Sequence, residues 1–130
     1  MAKSSKPSVA ILGASANRAK FGNKSVRAHL KQGYEVYPVN PRGGEVEGLK
    51  VFSSLAEVPA AHLNRVSVYL SPAVTMLVLE EIAAKGCDEL WLNPGSENAE
   101  VVRKAESLGL NPIRGCSIID CGVSPSELDD

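Results

Sequence analysis

The sequence predicts an α/β fold: a single Rossmann-like, doubly wound parallel sheet of about five strands with helices on both faces. Three observations lead there. Short apolar runs rich in β-branched residues recur along the chain, each long enough for one buried strand. Segments of helical periodicity fall between them, as right-handed crossovers between parallel strands require. Each run also ends in small, polar or glycine-containing residues, the composition of turns along one sheet edge.

The elements follow in order. "SVAILG" (8–13) is the first strand. Residues 23–32 form the first helix, with Val26 and Leu30 on one face and Gly33 as its stop. "YEVYPVN" (34–40) is the second strand, with Pro38 tolerable near its end. "VEGLKVF" (46–52) is a short strand or an extended arm, and Ser54 and Glu57 have the spacing of a capping box before a short helix. "RVSVYLS" (65–71) is a buried strand that hands over to a helix through Ser71 as N-cap and Pro72 as first helical residue. That helix runs to Lys85 and stops at Gly86. "ELWLN" (89–93) is a strand. Residues 99–108 form a helix with Val101, Val102, Ala105 and Leu108 inward, ended by Gly109. "NPIRG" (111–115) is the last strand. The expected strand order is 3-2-1-4-5, with the switch point between strand 1 and strand 4. Residues 1–7 read as a disordered lead, 8–123 as the domain and 124–130 as a polar, frayed tail.

Composition excludes several classes. With 130 residues, 44% hydrophobic and 22% charged, the chain suits one ordinary soluble domain. A net charge of −1 gives no field that favours nucleic acid or an anionic membrane. No apolar run approaches the ~20 residues of a membrane-spanning helix, and "MAKSSKPS" lacks the apolar core of a secretory signal. Three cysteines, Cys87, Cys116 and Cys121, with no C-x-x-C pair, fit a reducing, cytoplasmic compartment. Two well-separated histidines give no metal site.

In such sheets ligands bind at the carboxyl edge near the switch point. The exits there are Gly13-Ala14-Ser15, Asn40-Pro41-Arg42-Gly43-Gly44, Ser71-Pro72-Ala73, Asn93-Pro94-Gly95-Ser96 and Arg114-Gly115-Cys116. The first does not fit G-x-G-x-x-G, because Ser15 and Arg18 stand where glycines belong; it does not fit a P-loop either. What remains is a long loop with Ser15, Asn17, Arg18, Lys20, Asn23 and Lys24, a donor-rich and cationic set suited to a pyrophosphate. At most two of the three cations are expected to turn inward, Lys24 least of all. The second strand ends at Asn40 and Arg42, where NAD-binding units place an acid for the ribose hydroxyls. A cation there suits a phosphorylated ribose, as in NADP or coenzyme A.

Gly13-Ala14-Ser15, "PVNPRGGEVEGLKVFSSLAEVP" (38–59) and the strand-helix-strand that follows resemble the stand-alone CoA-binding domain family. That family is similar to the N-terminal CoA-binding module of succinyl-CoA synthetase alpha subunits. The resemblance covers residues 8–121, and the "VNPRGGEVEG" stretch is its most specific part. It implies that Gly13, Ala14, Ser15, Asn17, Arg18 and Lys20 face the pyrophosphate. Val39, Asn40, Pro41 and Arg42 would flank the adenosine and its 3′-phosphate; Ser71, Pro72 and Ala73 would pack on the adenine side, and Gly95 would lie beside the pantetheine arm. Pro94 departs from the acidic or polar residue expected in that last loop.

No set of residues reads as a catalytic constellation. His29 reads as a partly exposed helix residue, His62 as a residue of a connection and Trp91 as core. Cys116 alone, after the last strand, would lie where a CoA thiol arrives. The reading is therefore a non-catalytic CoA or acyl-CoA binding protein. An NADP-binding redox protein or sensor, and the CoA-binding subunit of a split acyl-CoA synthetase, are the alternatives. Partners are a nucleotide ligand, with no nucleic acid and no membrane, and either a homodimer or a separate catalytic subunit is left open.

Overall fold

A computed structural model describes residues 6–128, so most of the predicted lead and the last two residues of the tail lie outside the described residues. Five parallel strands form the main sheet: β1 (Ser8–Leu12), β2 (Glu35–Val39), β5 (Leu63–Val68), β6 (Cys87–Leu92) and β7 (Pro112–Arg114). Their order is β2-β1-β5-β6-β7. The chain moves outward from β1 in both directions, which puts the switch point between β1 and β5, as predicted.

Alternation along the strands divides the core in two. Ala10 and Leu12 of β1, with Val66, Val68, Leu90 and Leu92, pack against Leu79 and Ile82 of α2 (Pro72–Lys85) and Val101 and Ala105 of α3 (Ala99–Ser107). Val9 and Ile11 point the other way, to Val26 of α1 (Phe21–Lys31) and to Val36, Val46 and Val51. Ala28 of α1 meets Ile118 of α4 (Ser117–Asp120), with Val123 and Leu128 beside them. The tail is thus not wholly polar and frayed: Pro125–Leu128 form a 3-10 turn and Leu128 is buried.

Strand order differs from the expected 3-2-1-4-5 at its first position. Residues 46–52 do not add a full strand beside β2. They fold on themselves as a hairpin of β3 (Glu45–Val46) and β4 (Leu49–Lys50), and only Phe52 bridges to Val39. The two loop residues, Glu47 at φ 52° and Gly48 at φ 79°, have the left-handed backbone of a tight hairpin turn. Glu47 is held there by Arg18 Nη1 at 2.7 Å and Asn23 Nδ2 at 3.0 Å. The Asn23 amide, and then the Arg18 guanidinium, hold its carboxyl below the ordinary range.

Predicted handovers recur. The Ser71 hydroxyl accepts from the Val74 N–H at the start of α2, Pro72 follows, and Gly86 at φ 87° ends the helix. Pro38 sits in the edge strand β2, where a missing ladder donor is tolerated. The Ser54–Glu57 segment makes only a 3-10 turn, with Glu57 accepting from the Ser53 N–H rather than Ser54 capping the helix.

His29 corrects an expectation: it is fully buried rather than partly exposed. Its Nδ1 lies 2.8 Å from the Ser25 carbonyl oxygen, its ring is edge-on to Tyr34, and its Nε2 is buried without a partner. Burial, reinforced by nearby Arg65, lowers its pKa from 6.5 to about 4. The unfolded chain therefore binds the proton first as pH falls. Stability is full above about 6.5 and is expected to drop by roughly 2–3 kcal/mol as pH falls toward 4. Urea unfolding from pH 7.5 to 4 checks this, and in His29→Gln that part of the slope should vanish.

Candidate nucleotide-binding cleft

The carboxyl ends of the strands enclose a cleft of about 680 Å³, within the range of small-molecule sites. Gly13, Ala14 and Ser15 after β1, Asn40 and Arg42 after β2, Tyr69, Leu70 and Ser71 after β5, and Pro94, Gly95 and Ser96 after β6 line it. Lys20, Phe21 and Gly22 at the start of α1 close the side over the switch point.

The β1 exit is built by close backbone approach. The N–H groups of Gly13 and Ala14 both donate to the Val39 carbonyl, and the Asn40 side-chain amide donates to the Ala14 carbonyl. These bonds lock the ends of β1 and β2 together, and they engage the very N–H groups that a glycine-rich loop would turn to phosphate. The N–H groups without a protein partner lie instead at the start of α1. Its N-cap is Lys20, whose side chain makes no capping bond. The N–H groups of Phe21 and Gly22 have no partner among the described residues, whereas those of Asn23 and Lys24 reach the Lys20 carbonyl. An uncapped helix N-terminus with a lysine beside it favours an anion. Gly22 can lie there because it has no Cβ; an added one would land on the Gly13 carbonyl oxygen.

Two of the loop's polar residues shape the loop. Ser15 Oγ accepts from the Asn17 N–H and Asn17 Oδ1 from the Ala19 N–H, which are local turns. Asn17 faces an adjoining hollow of about 250 Å³, shared with Ser15, Asn40 and Arg42 and walled by Glu45, Val46 and Val51. Arg42 lines both spaces, and its N–H is fixed by Asn40 Oδ1 at 2.9 Å.

Of the residues named from sequence, Gly13, Ala14, Ser15, Lys20, Asn40, Arg42, Ser71 and Gly95 come together around the cleft. Arg18 is turned to Glu47 and does not line it. Lys24 lies over the Phe21 ring at 5.2 Å. Val39 is buried and contributes its carbonyl, while Pro41, Pro72 and Ala73 are not among the lining residues. Ser96, in the exit named after the "ELWLN" strand, also lines the cleft, whereas Phe21, Gly22, Tyr69 and Leu70 escaped the sequence reading. The aromatic pair carries no motif; Gly22 was visible as a glycine but not as a contact partner of Gly13.

The far end is held by Asn93. Its amide donates to Ser67 Oγ at 2.8 Å and the Val68 carbonyl at 2.9 Å, and its Oδ1 accepts from the Ser117 N–H at 2.9 Å. Ser117 Oγ in turn lies 2.6 Å from Ser67 Oγ and 3.0 Å from the Tyr69 hydroxyl. Burial raises the Tyr69 pKa despite these serines, so the phenol stays neutral. Among the described residues no group of His, Cys, Asp or Glu is placed to hold a metal ion, and no helix is long and apolar enough to cross a membrane.

A cleft at the switch point of a parallel sheet, with an uncapped helix end and two cations around it, defines a nucleotide-binding domain. The chain belongs to the CoA-binding domain family, whose model matches residues 7–122, and the nucleotide is coenzyme A. It is 36% identical over 85 residues to the alpha subunit of acetate–CoA ligase (ADP-forming) I of Pyrococcus furiosus, a stretch covering 61% of this chain and 18% of that subunit. It is 28% identical over 101 residues to the uncharacterized protein YneT of Bacillus subtilis, covering 78% of this chain and 74% of that protein. The chain thus spans less than a fifth of the ligase subunit it matches. Among solved structures, a conserved hypothetical protein from Pyrococcus furiosus superposes with a TM-score of 0.80 at 34% identity, covering 88% of this chain and 98% of that one. A dinucleotide-forming acetyl-coenzyme A synthetase 1 of Ca. Korarchaeum cryptofilum gives 0.71 at 26% identity, covering 82% and 25%.

Proposed function

We propose that this chain is a non-catalytic coenzyme A or acyl-CoA binding protein that holds the nucleotide along the carboxyl edge of its sheet. The observation that carries the reading is the uncapped N-terminus of α1, which presents the Phe21 and Gly22 N–H groups and Lys20 to the cleft. These take the pyrophosphate. Arg42, fixed by Asn40 at the β2 end, takes the 3′-phosphate of the adenosine. Residues 94–96 at the β6 end flank the pantetheine arm. The likeness to an acetate–CoA ligase subunit supports a second reading, in which the same cleft presents CoA to a catalytic partner chain.

Calorimetric titration with CoA, dephospho-CoA, NADP and NAD tests the assignment. CoA should bind tightest. Dephospho-CoA should bind weaker by about 1–3 kcal/mol, the range of a charge-assisted contact. Arg42→Gln should weaken CoA by a similar amount and leave dephospho-CoA nearly unchanged, so that the two ligands converge. Equal affinities in the unaltered protein would remove Arg42 from the 3′-phosphate. Affinity capture from the source cell separates the two readings, because only the second expects a stoichiometric catalytic chain.

A further inference from the structure

The cleft does not end at the β6 exit. Phe21, Tyr69 and Pro94 line it on one side and on the other wall a smaller hollow of about 110 Å³, closed by Asn93 and Cys116. Its position along the sheet edge is informative. Arg42 leaves β2, the Gly13 turn leaves β1, residues 69–71 follow β5, residues 94–96 follow β6, and Cys116 follows β7. The strand order is thus a ruler. With the adenosine phosphate at one end and the pyrophosphate at the switch point, the sulfur end of the ligand reaches the β6–β7 end. The annexe lies there, and its walls are two aromatic rings, a proline and a thiol, with only Asn93 contributing an amide. That amide is already committed to Ser67 and Val68. Such a lining suits hydrocarbon and gives a carboxylate no cation.

We propose that this annexe receives the acyl group of a short, uncharged acyl-CoA, and so sets a chain-length limit on the ligand. The proposal rests on the CoA reading of the main cleft. Size gives the limit: an apolar cavity of about 150 Å³ takes benzene, so a space of 110 Å³ takes an acyl group of about two to four carbons. Behind Asn93, itself only 1% exposed, the buried Ser67–Ser117 pair blocks further travel. Phe21, 52% exposed, is the outer wall and the residue whose loss would let a longer chain out to solvent.

Titration of the full chain with CoA, acetyl-CoA, butyryl-CoA, succinyl-CoA and octanoyl-CoA tests this. Acetyl- and butyryl-CoA should bind at least as tightly as CoA. Octanoyl- and succinyl-CoA should each bind at least tenfold weaker than butyryl-CoA. Phe21→Ala removes a half-exposed ring and should shrink the octanoyl penalty to less than threefold; Cys116→Phe, with folding checked by circular dichroism, should weaken butyryl-CoA relative to CoA. Octanoyl-CoA binding like butyryl-CoA, or an octanoyl penalty unchanged in Phe21→Ala, overturns the annexe while leaving the cleft a CoA site. Failure of CoA itself to bind overturns the CoA reading first, and the annexe with it.

Discussion

Gly13→Ala is expected to lower the free energy of unfolding by about 3–5 kcal/mol and to abolish measurable CoA binding. Two penalties meet at this residue. Its φ of 90° is a conformation that an L side chain rarely adopts. An added Cβ would also lie 2.5 Å from the Tyr69 carbonyl oxygen, which is backbone and cannot swing aside. Two companion variants separate the terms. Gly109, at φ 81° with open space around its missing Cβ, carries the conformational strain alone. Gly22, helical in backbone, carries a clash alone, against the Gly13 carbonyl. Gly109→Ala should cost about 1–3 kcal/mol and leave CoA binding intact. Gly22→Ala should cost comparable stability but lose binding, because it pushes α1 off the β1 turn and moves the Phe21 and Gly22 N–H groups. Urea denaturation with parallel calorimetry reads both quantities. A Gly13→Ala protein as stable as Gly109→Ala would show that the β1 and β5 exits have slack.

These glycines also show how far the sequence could be read. Local signals were sufficient where a structure is local. Ser71 and Pro72 start α2 and Gly86 ends it for reasons confined to a few residues. The positions of Asn40 and Arg42 followed from topology, since the residues leaving β2 must lie beside those leaving β1. Information that depends on distant partners was not legible. Arg18 looked like a phosphate ligand within its own loop, but its partner Glu47 is 29 residues away, in the left-handed turn of a hairpin that it shares with Gly48. His29 looked partly exposed by helical spacing, and is buried on a helix that α4 packs against, with the Tyr34 ring edge-on to its own. The four-residue α4 itself is too short to leave a periodic pattern. The failed glycine fingerprint was informative: the Gly13 and Ala14 N–H groups are bonded to Val39, so this turn binds β2, and the N–H groups left open lie at the start of α1.

Asn93→Ala is expected to cost about 3–5 kcal/mol, out of proportion to the atoms removed. Asn93 joins three of the segments that make the far wall of the site. It holds the end of β5 through Ser67 and Val68, it begins the turn after β6, where Ser96 Oγ donates to its carbonyl at 2.7 Å, and it accepts from the first N–H of α4 at Ser117. Asn93, Ser67 and Ser117 are all buried, so water cannot replace the lost bonds at low cost. Truncation leaves the Ser117 N–H without an acceptor and frees the Ser67–Ser117–Tyr69 cluster to reorganise. Asn93→Asp tests which bonds matter: it keeps the acceptor for Ser117 but gives up both donations and places a carboxylate against the Val68 carbonyl, so it should also be destabilised. The binding consequence should be lopsided. Lys20 and Arg42 line the main cleft but not the annexe, so contacts to the two phosphate groups should persist, while Pro94 and Cys116 lose their fixed separation. Titration at a temperature where the variant is folded should therefore show CoA weakened modestly and the distinction between butyryl- and octanoyl-CoA lost. If Asn93→Ala retained the full chain-length distinction, the walls of the annexe would be set by the backbone of the β6 and β7 exits rather than by the amide that spans them.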